Sequence, residues 1–206
     1  MAIYRNRQKL KLRDDAWCVC DRHAGFSLVE VLVAIIILSV GMLGAVGMQS
    51  AAMQSNKEAR NQATAVTLAR ELGERMRGNH TIAIQSLASN NPYLFDTTLS
   101  SAGSVTSFNA NCFTAGCPLV KDAATWDVAD WQGRVQAALP TARVKVCFDK
   151  SPYDSAGVPR WACTGDGDLS VVKMGWTSSN TAGTLTFAAS TGVPLLILPL
   201  SAGSSQ

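Results

Sequence analysis

One stretch limits what this chain can become. From Phe26 to Met48 there is a single charged residue, Glu30, in an otherwise apolar run. A run of that length can cross the hydrocarbon of a bilayer as a helix. A carboxylate inside it costs about 2.5–3.5 kcal/mol on insertion scales, so it needs a partner or a task. The residues before the run are polar and basic. Residues 1–25 hold Arg5, Arg7, Lys9, Lys11, Arg13 and Arg22 against Asp14, Asp15 and Asp21, so the whole-chain net charge of +3 resides there and the remainder is neutral. A basic head before an apolar run stays on the cytoplasmic side, which sends the C-terminal part across the membrane. With the basic excess confined to the head, the exported part carries no electrostatic footprint for nucleic acid.

No proline interrupts the chain from Phe26 to Arg77, which predicts one long helix of roughly 75–80 Å. Its first half is apolar all round, as lipid exposure demands. Its second half is amphipathic: Ala65, Leu68, Ala69, Leu72 and Met76 recur at helical spacing, with Lys57, Glu58, Arg60, Arg70, Glu71, Glu74 and Arg75 at the polar positions. Gly78-Asn79 is a stop signal, and Arg75 and Arg77 suit the negative end of the helix dipole. Gly41, Gly44 and Gly47 each cost about 1 kcal/mol relative to Ala. Two readings are open for them: small residues that let membrane helices pack closely, or a weak stretch that can unwind.

Beyond the helix, residues 79–140 read as loop-rich, with one short helix from about Ala129 to Leu139 stopped by Pro140. Strand patterns follow over Ala142–Asp149, Leu169–Thr177, Thr184–Ala188 and Leu195–Leu198, separated by Gly, Asn and Ser turns. In the first, Val144, Val146 and Phe148 share one face while Arg143, Lys145 and Cys147 share the other. The expected class is α+β, a long N-terminal helix packed through its apolar stripe on a small antiparallel sheet. The expected divisions are a leader over 1–25, a membrane half of the helix over 26–48, an amphipathic half over 49–78 and a globular domain over 79–206.

Of the six cysteines, Cys18 and Cys20 lie in the head. Cys112, Cys117, Cys147 and Cys163 lie in the part expected to face an oxidising compartment, where an even set reads as disulfides. Three pairings are possible. Closeness in sequence and the flanking Gly116, Pro118, Pro152 and Gly157 favour Cys112–Cys117 and Cys147–Cys163. The second bridge would close a loop of about 15 residues, worth about 3 kcal/mol in the chain-entropy model. A four-cysteine zinc site is the competing reading, without close-set finger spacing to support it.

Catalytic signals are missing. Beyond the head only His80 remains of the two histidines, so a Ser-His-Asp or Cys-His arrangement would depend on it alone. There is no Gly-x-Ser-x-Gly elbow, phosphate-cradling loop or dinucleotide fingerprint. No enzyme activity, cofactor or metal is expected. Thr164-Gly165-Asp166-Gly167-Asp168 has the flavour of an oxygen-ligand calcium loop but lacks the distal Glu, and a plain turn before a strand accounts for it. Trp126, Trp131, Trp161 and Trp176 could form a ligand platform, yet core and sheet packing explains large aromatics as well. Asp127 and Asp130, three apart on a short helix, read as a solvated pair.

Gly25-Phe26-Ser27-Leu28-Val29-Glu30, with the apolar helix to Met48, resembles the class III signal of type IV prepilins. In that family a membrane peptidase cuts after the Gly and methylates the new N-terminal Phe, so the resemblance implies processing at Gly25 and Phe26. It also implies that Glu30 acts in assembly, docking on the N-terminal amine of a neighbouring subunit. The 25-residue leader is long for such pilins, and its cysteines and acids are unusual. A second resemblance, to PilV-type minor pilins, rests on Ala65-Val66-Thr67-Leu68-Ala69-Arg70-Glu71-Leu72-Gly73-Glu74-Arg75-Met76-Arg77-Gly78-Asn79. Trp126-Asp127 through Trp131-Gln132 to Leu139-Pro140, and the strand Val144-Lys145-Val146-Cys147-Phe148, are also similar to that group. The hydrophobic stretch Val193–Leu200 matches no feature of it.

This implies a minor pilin that primes filament assembly and supports twitching motility or adhesion. Its implied partners are other minor pilins, the major pilin, the prepilin peptidase, the inner-membrane assembly platform and membrane lipid. It would reside in the bacterial inner membrane as a single-pass protein with a periplasmic C-terminal domain, then in the pilus at the cell surface. A minor pseudopilin of a type II secretion system shares the same signal. A secreted enzyme with an ordinary signal peptide could use Ser50-Ala51-Ala52 for cleavage, but the apolar run exceeds a 7–15-residue signal core and contains Glu30. An uncleaved, membrane-anchored binding domain would leave Glu30 unexplained.

Overall fold

The computed structural model describes residues 25–100, 105–106, 111–139, 141–179, 185–187 and 192–202. The chain falls into two compact units divided between Val46 and Gly47. Helix α1 (Leu28–Gly78) runs through the division. In the first unit its residues are exposed throughout, and Glu30 lies in the first turn. A hypothetical Cβ at Gly41 or Gly44 would meet nothing within 4 Å.

In the second unit α1 acquires a buried stripe: Ala65, Leu68, Ala69, Leu72, Gly73 and Met76. These positions recur three and four apart, so they share one side of the helix. A short helix α2 (His80–Ala83) follows, then strand β1 (Phe95–Leu99), helix α3 (Asn111–Thr114) and helix α4 (Val120–Ala138). Strands β2 (Ala142–Phe148), β3 (Ser170–Gly175), β4 (Thr177–Ser179), β5 (Leu185–Phe187) and β6 (Leu196–Leu200) complete the order. Four strands form an antiparallel sheet in the order β1-β2-β3-β6, and β4 pairs with β5 in a separate two-stranded ribbon. The long N-terminal helix and small antiparallel sheet make the fold α+β.

Strand alternation decides which face is core. Along β2, Ala142, Val144 and Val146 are buried while Arg143, Lys145 and Cys147 are half-exposed. Val172 and Met174 of β3 join Val144 and Val146, the α1 stripe, and Val128, Trp131 and Val135 of α4 in one core. Leu200 of β6 closes the core against Gly73, where a Cβ would lie 3.5 Å from Leu200 Cδ2. The hydrophobic C-terminal stretch therefore supplies an edge strand of the main sheet.

Three expectations need correction. Helix α4 begins at Val120, about nine residues before the expected Ala129, because Ala124 and Val128 extend the buried spacing of Trp131 and Val135 toward its N-terminus. The segment read as loops contains β1, whose register against β2 runs from Phe95↔Val146 to Leu99↔Ala142. The long strand expected over Leu169–Thr177 breaks at Trp176, where the chain passes from the main sheet to the ribbon. Pro140 and much of the Ser-rich stretch between Ser101 and Ala110 lie outside the described residues, as do the ends of the expected Thr184–Ala188 strand.

Candidate functional site

Gly25, Phe26 and Ser27 precede the helix in non-helical conformation, and the carbonyl of Ser27 accepts from the amides of Glu30 (2.9 Å) and Val31 (3.3 Å). The first helical turn is thus closed by Ser27, leaving the Gly25–Phe26 peptide outside the hydrogen-bonded ladder. Gly25 is exposed with nothing within 4 Å of where a Cβ would stand, and Phe26 is 83% exposed. A peptide bond that is to enter an enzyme's cleft needs such an accessible, unladdered backbone. Glu30 is exposed, has no side-chain partner among the described residues, and sits at the helix N-terminus, where a negative charge is favoured. The helix is long and apolar enough to cross a membrane, with a mean hydropathy of 2.6 in its most apolar window and none of that window buried within the chain.

The four expected cysteines form two bonds. Cys112 is joined to Cys117 with Cα atoms 4.3 Å apart, and Cys147 to Cys163 with Cα atoms 6.4 Å apart. Cys147 Sγ, Cys163 Sγ and a carboxylate oxygen of Asp149 lie within 4.8 Å of one another, the closest approach to a metal-ligand group among the described residues. The sulfurs are bonded to each other and Asp149 is taken by Lys173, so this group offers no metal its ligands.

Asp127 and Asp130 are not simply solvated. Both turn toward α1 and grip Arg75: its Nη1 lies 3.5 Å from Asp127 Oδ1 and its Nη2 2.5 Å from Asp130 Oδ2. Arg75 also bonds Glu71, and Arg134 reaches Glu71 and Asp130. Tyr93 donates its hydroxyl to Asp127 Oδ2 at 2.8 Å. Burial, followed by the bond to Asp127, pushes the Tyr93 phenol well above its ordinary pKa. Burial likewise raises Asp127, against the lowering effects of Tyr93 and Arg75. This cluster fastens α4 to α1.

The tryptophans divide. Trp131 and Trp176 are buried in the core. Their indole N–H groups are satisfied, as buried indoles require: Trp131 donates to the Leu68 carbonyl at 2.7 Å, and Trp176 to Glu58 at 3.1 Å. Trp161 is half-buried beneath the Arg143 guanidinium, which stands 4.5 Å from its ring centre. Trp131, Trp161 and Trp176 are thus each engaged separately, in the core or against Arg143. His80 directs Nδ1 at the Ala202 carbonyl, 2.6 Å away. At the 164–168 turn, Asp166 pairs with Lys150 and Gly165 and Gly167 adopt positive φ, which makes it a turn before β3.

Sequence reading missed Arg75, Glu58 and Lys173 as tertiary anchors. Arg75 was legible as a helix-terminal cation, but its acidic partners stand 52 and 55 residues away. Glu58 was read as an outward polar position, whereas it accepts from Trp176 and from Ser178 Oγ at 2.8 Å.

A family model for the prokaryotic N-terminal methylation motif matches residues 20–46, the stretch that contains Gly25, Phe26 and Glu30. A second, for type IV pilin Tt1218, matches residues 47–129, from the amphipathic part of α1 into α4. No curated protein and no solved structure matches the chain significantly. The two matches abut and together span residues 20–129, from the signal through the amphipathic part of α1 into α4. The pilin family they describe is structural rather than enzymatic, and the chain is a type IV pilin-like protein with a prepilin methylation signal.

Proposed function

We propose that the chain is a minor pilin of a type IV pilus, a structural subunit that primes filament assembly and supports twitching motility and adhesion. The observation that carries this reading is the first part of α1: an accessible Gly25–Phe26 peptide followed by a fully exposed apolar helix with one carboxylate, Glu30, in its first turn. Cleavage at Gly25 places a positive Phe26 amine four residues from Glu30. A carboxylate in hydrocarbon seeks a cation or a proton, and the Phe26 amine of an adjacent subunit supplies the cation at similar depth. That pairing turns a membrane penalty into an assembly preference and sets the axial register. The protein starts in the inner membrane with its C-terminal domain periplasmic, meets the prepilin peptidase and assembly platform, and joins other minor pilins and the major pilin. The PilV-like stretch Ala65–Asn79 favours a pilus over a type II secretion pseudopilus.

The test has two parts. Mass spectrometry of the mature protein is expected to give an N-methylated Phe26 terminus; a terminus at Met1 or near Met53 overturns the reading. Glu30→Val is expected to leave cleavage and membrane insertion intact while lowering recovery with the other minor pilins, and Glu30→Asp to recover part of the loss. Wild-type co-purification together with normal piliation in Glu30→Val would sink the docking role.

A further inference from the structure

Lys173 stands in the middle of β3, a strand paired on both sides. Its side chain is wholly buried, although strand alternation points it away from the core-facing Val172 and Met174. A lysine on the outer face of a sheet ordinarily stands in water. Here the segment between Cys147 and Cys163 supplies the replacement for that water. An ammonium has three donors, and all three are used: Asp149 Oδ2 at 2.5 Å, the Arg160 carbonyl at 2.8 Å and the Ala162 carbonyl at 2.7 Å.

The identity of these acceptors matters. Asp149 follows Cys147 by two residues, and Ala162 immediately precedes Cys163. One nitrogen therefore draws together the same two stretches of chain that the disulfide joins. Asp149 extends the grip through its other oxygen, which accepts from Ser151 N (3.0 Å), Thr164 N (3.3 Å) and Thr164 Oγ1 (3.2 Å). Burial pushes the Asp149 carboxyl up, but the Lys173 bond and these amides outweigh it and leave it below its ordinary value. Trp161, stacked under Arg143, adds a donor to the Gly192 carbonyl at 2.9 Å. A buried ammonium is tolerated only when its partners are all in place, and they are in place only when both ends of the loop lie on the sheet.

We propose that Lys173 is the positioning residue of this loop. Its ammonium gathers Asp149 and the carbonyls of Arg160 and Ala162 so that Cys147 meets Cys163 rather than Cys112 or Cys117. It then holds the loop on the sheet whether or not the sulfurs are bonded. Closure converts two thiols to one disulfide, and the two hydrogens with their electrons pass to a disulfide oxidant, which leaves as two thiols.

The full chain in detergent micelles provides the test. Reduced protein is refolded with oxidised and reduced glutathione, and the cysteine-linked peptides are quantified by mass spectrometry. Lys173→Met is expected to cut the share of Cys147–Cys163 about fivefold or more, with the lost share appearing as links to Cys112 or Cys117. An unchanged share overturns the proposal. Because Lys173→Met also leaves Asp149 without its cation and can unfold the sheet, a second arm keeps Lys173 in place. In Cys147→Ala/Cys163→Ala protein, an amine-acetylating reagent is expected to modify Lys173 at least about tenfold more slowly than the exposed Lys57. Equal rates would show that the disulfide, not Lys173, holds the loop, and would end the idea.

Discussion

The apolar residues of α1 before Val46 and those between Ala65 and Met76 belong to one helix, yet they answer hydrophobicity in opposite ways. In the later stretch, burial within the chain is nearly complete: Ala65, Ala69, Leu72 and Met76 have no exposed surface. In the earlier stretch every residue is exposed, including Ile35, Ile36, Ile37 and Leu43. Helix propensity cannot account for the difference, since both stretches are helical. What differs is where the compensating surface comes from. The later stripe is covered by α4 and the sheet of its own chain, whereas the earlier run requires lipid or another subunit. Substitutions should therefore report on folding in one region and on insertion or assembly in the other.

The sharpest way to break that contrast is a pair of truncations. Trp131→Ala removes a fully buried ring and the donor to the Leu68 carbonyl, and is expected to cost about 3–5 kcal/mol. Ile36→Ala should leave the stability of the sheet-bearing part within about 0.5 kcal/mol of the parent. Denaturant unfolding of the full chain in detergent, followed by tryptophan fluorescence, measures both. Equal effects would erase the distinction.

A smaller effect is expected at the polar edge of the later stripe. Arg75→Met breaks the grip of α4 on α1, and because its side chain is partly screened the loss should be about 1–3 kcal/mol. A double-mutant cycle with Asp130→Ala should show that the two losses are not additive, since they remove one interaction. Strict additivity would detach Asp130 from the cluster.

The smallest effect concerns pH and only the sheet-bearing part. Burial raises Asp96, but bonds from Arg143 and Lys145 outweigh it and hold its carboxyl below the ordinary value; Asp149 is held down in the same net direction by Lys173. A depressed folded pKa contributes stability above the unfolded value, about 3.9 for Asp, and loses it as pH falls through the folded one. Asp127 has the opposite sign: its raised carboxyl favours the fold while protonated and loses that contribution as pH rises through its folded value. Asp96→Asn is thus expected to lower stability at neutral pH and to make the acid limb shallower. An unaltered acid limb in unfolding curves collected across acid pH would show that the Arg143–Asp96 pair contributes nothing.

What was legible in the sequence follows the range of the forces involved. The α1 stripe and the alternation of Val144 and Val146 are local periodicities, so residue order alone exposes them. Strand β1 is different. Asp96-Thr97-Thr98 is polar for a strand, and its support comes from Arg143, 47 residues from Asp96. The start of α4 lacks a side-chain cap at Leu119, which removes the usual marker of a helix beginning. Lys173 lies within the strand expected over Leu169–Thr177, and its burial has no local sign because the loop that buries it is a tertiary partner. The methylation-motif stretch was legible because it is one contiguous run of residues, matched by residue order alone.

The two buried indoles carry a mechanical consequence. Trp131 bonds α1 at the Leu68 carbonyl and Trp176 bonds it at Glu58, ten residues and about 15 Å apart along the axis. Two dowels at different heights prevent a rod from both turning and sliding. For α1 to slip by one turn, about 5.4 Å, both indole bonds would have to break together. Axial displacement of this part of α1 is therefore resisted at two heights, by α4 through Trp131 and by the junction of β3 and β4 through Trp176.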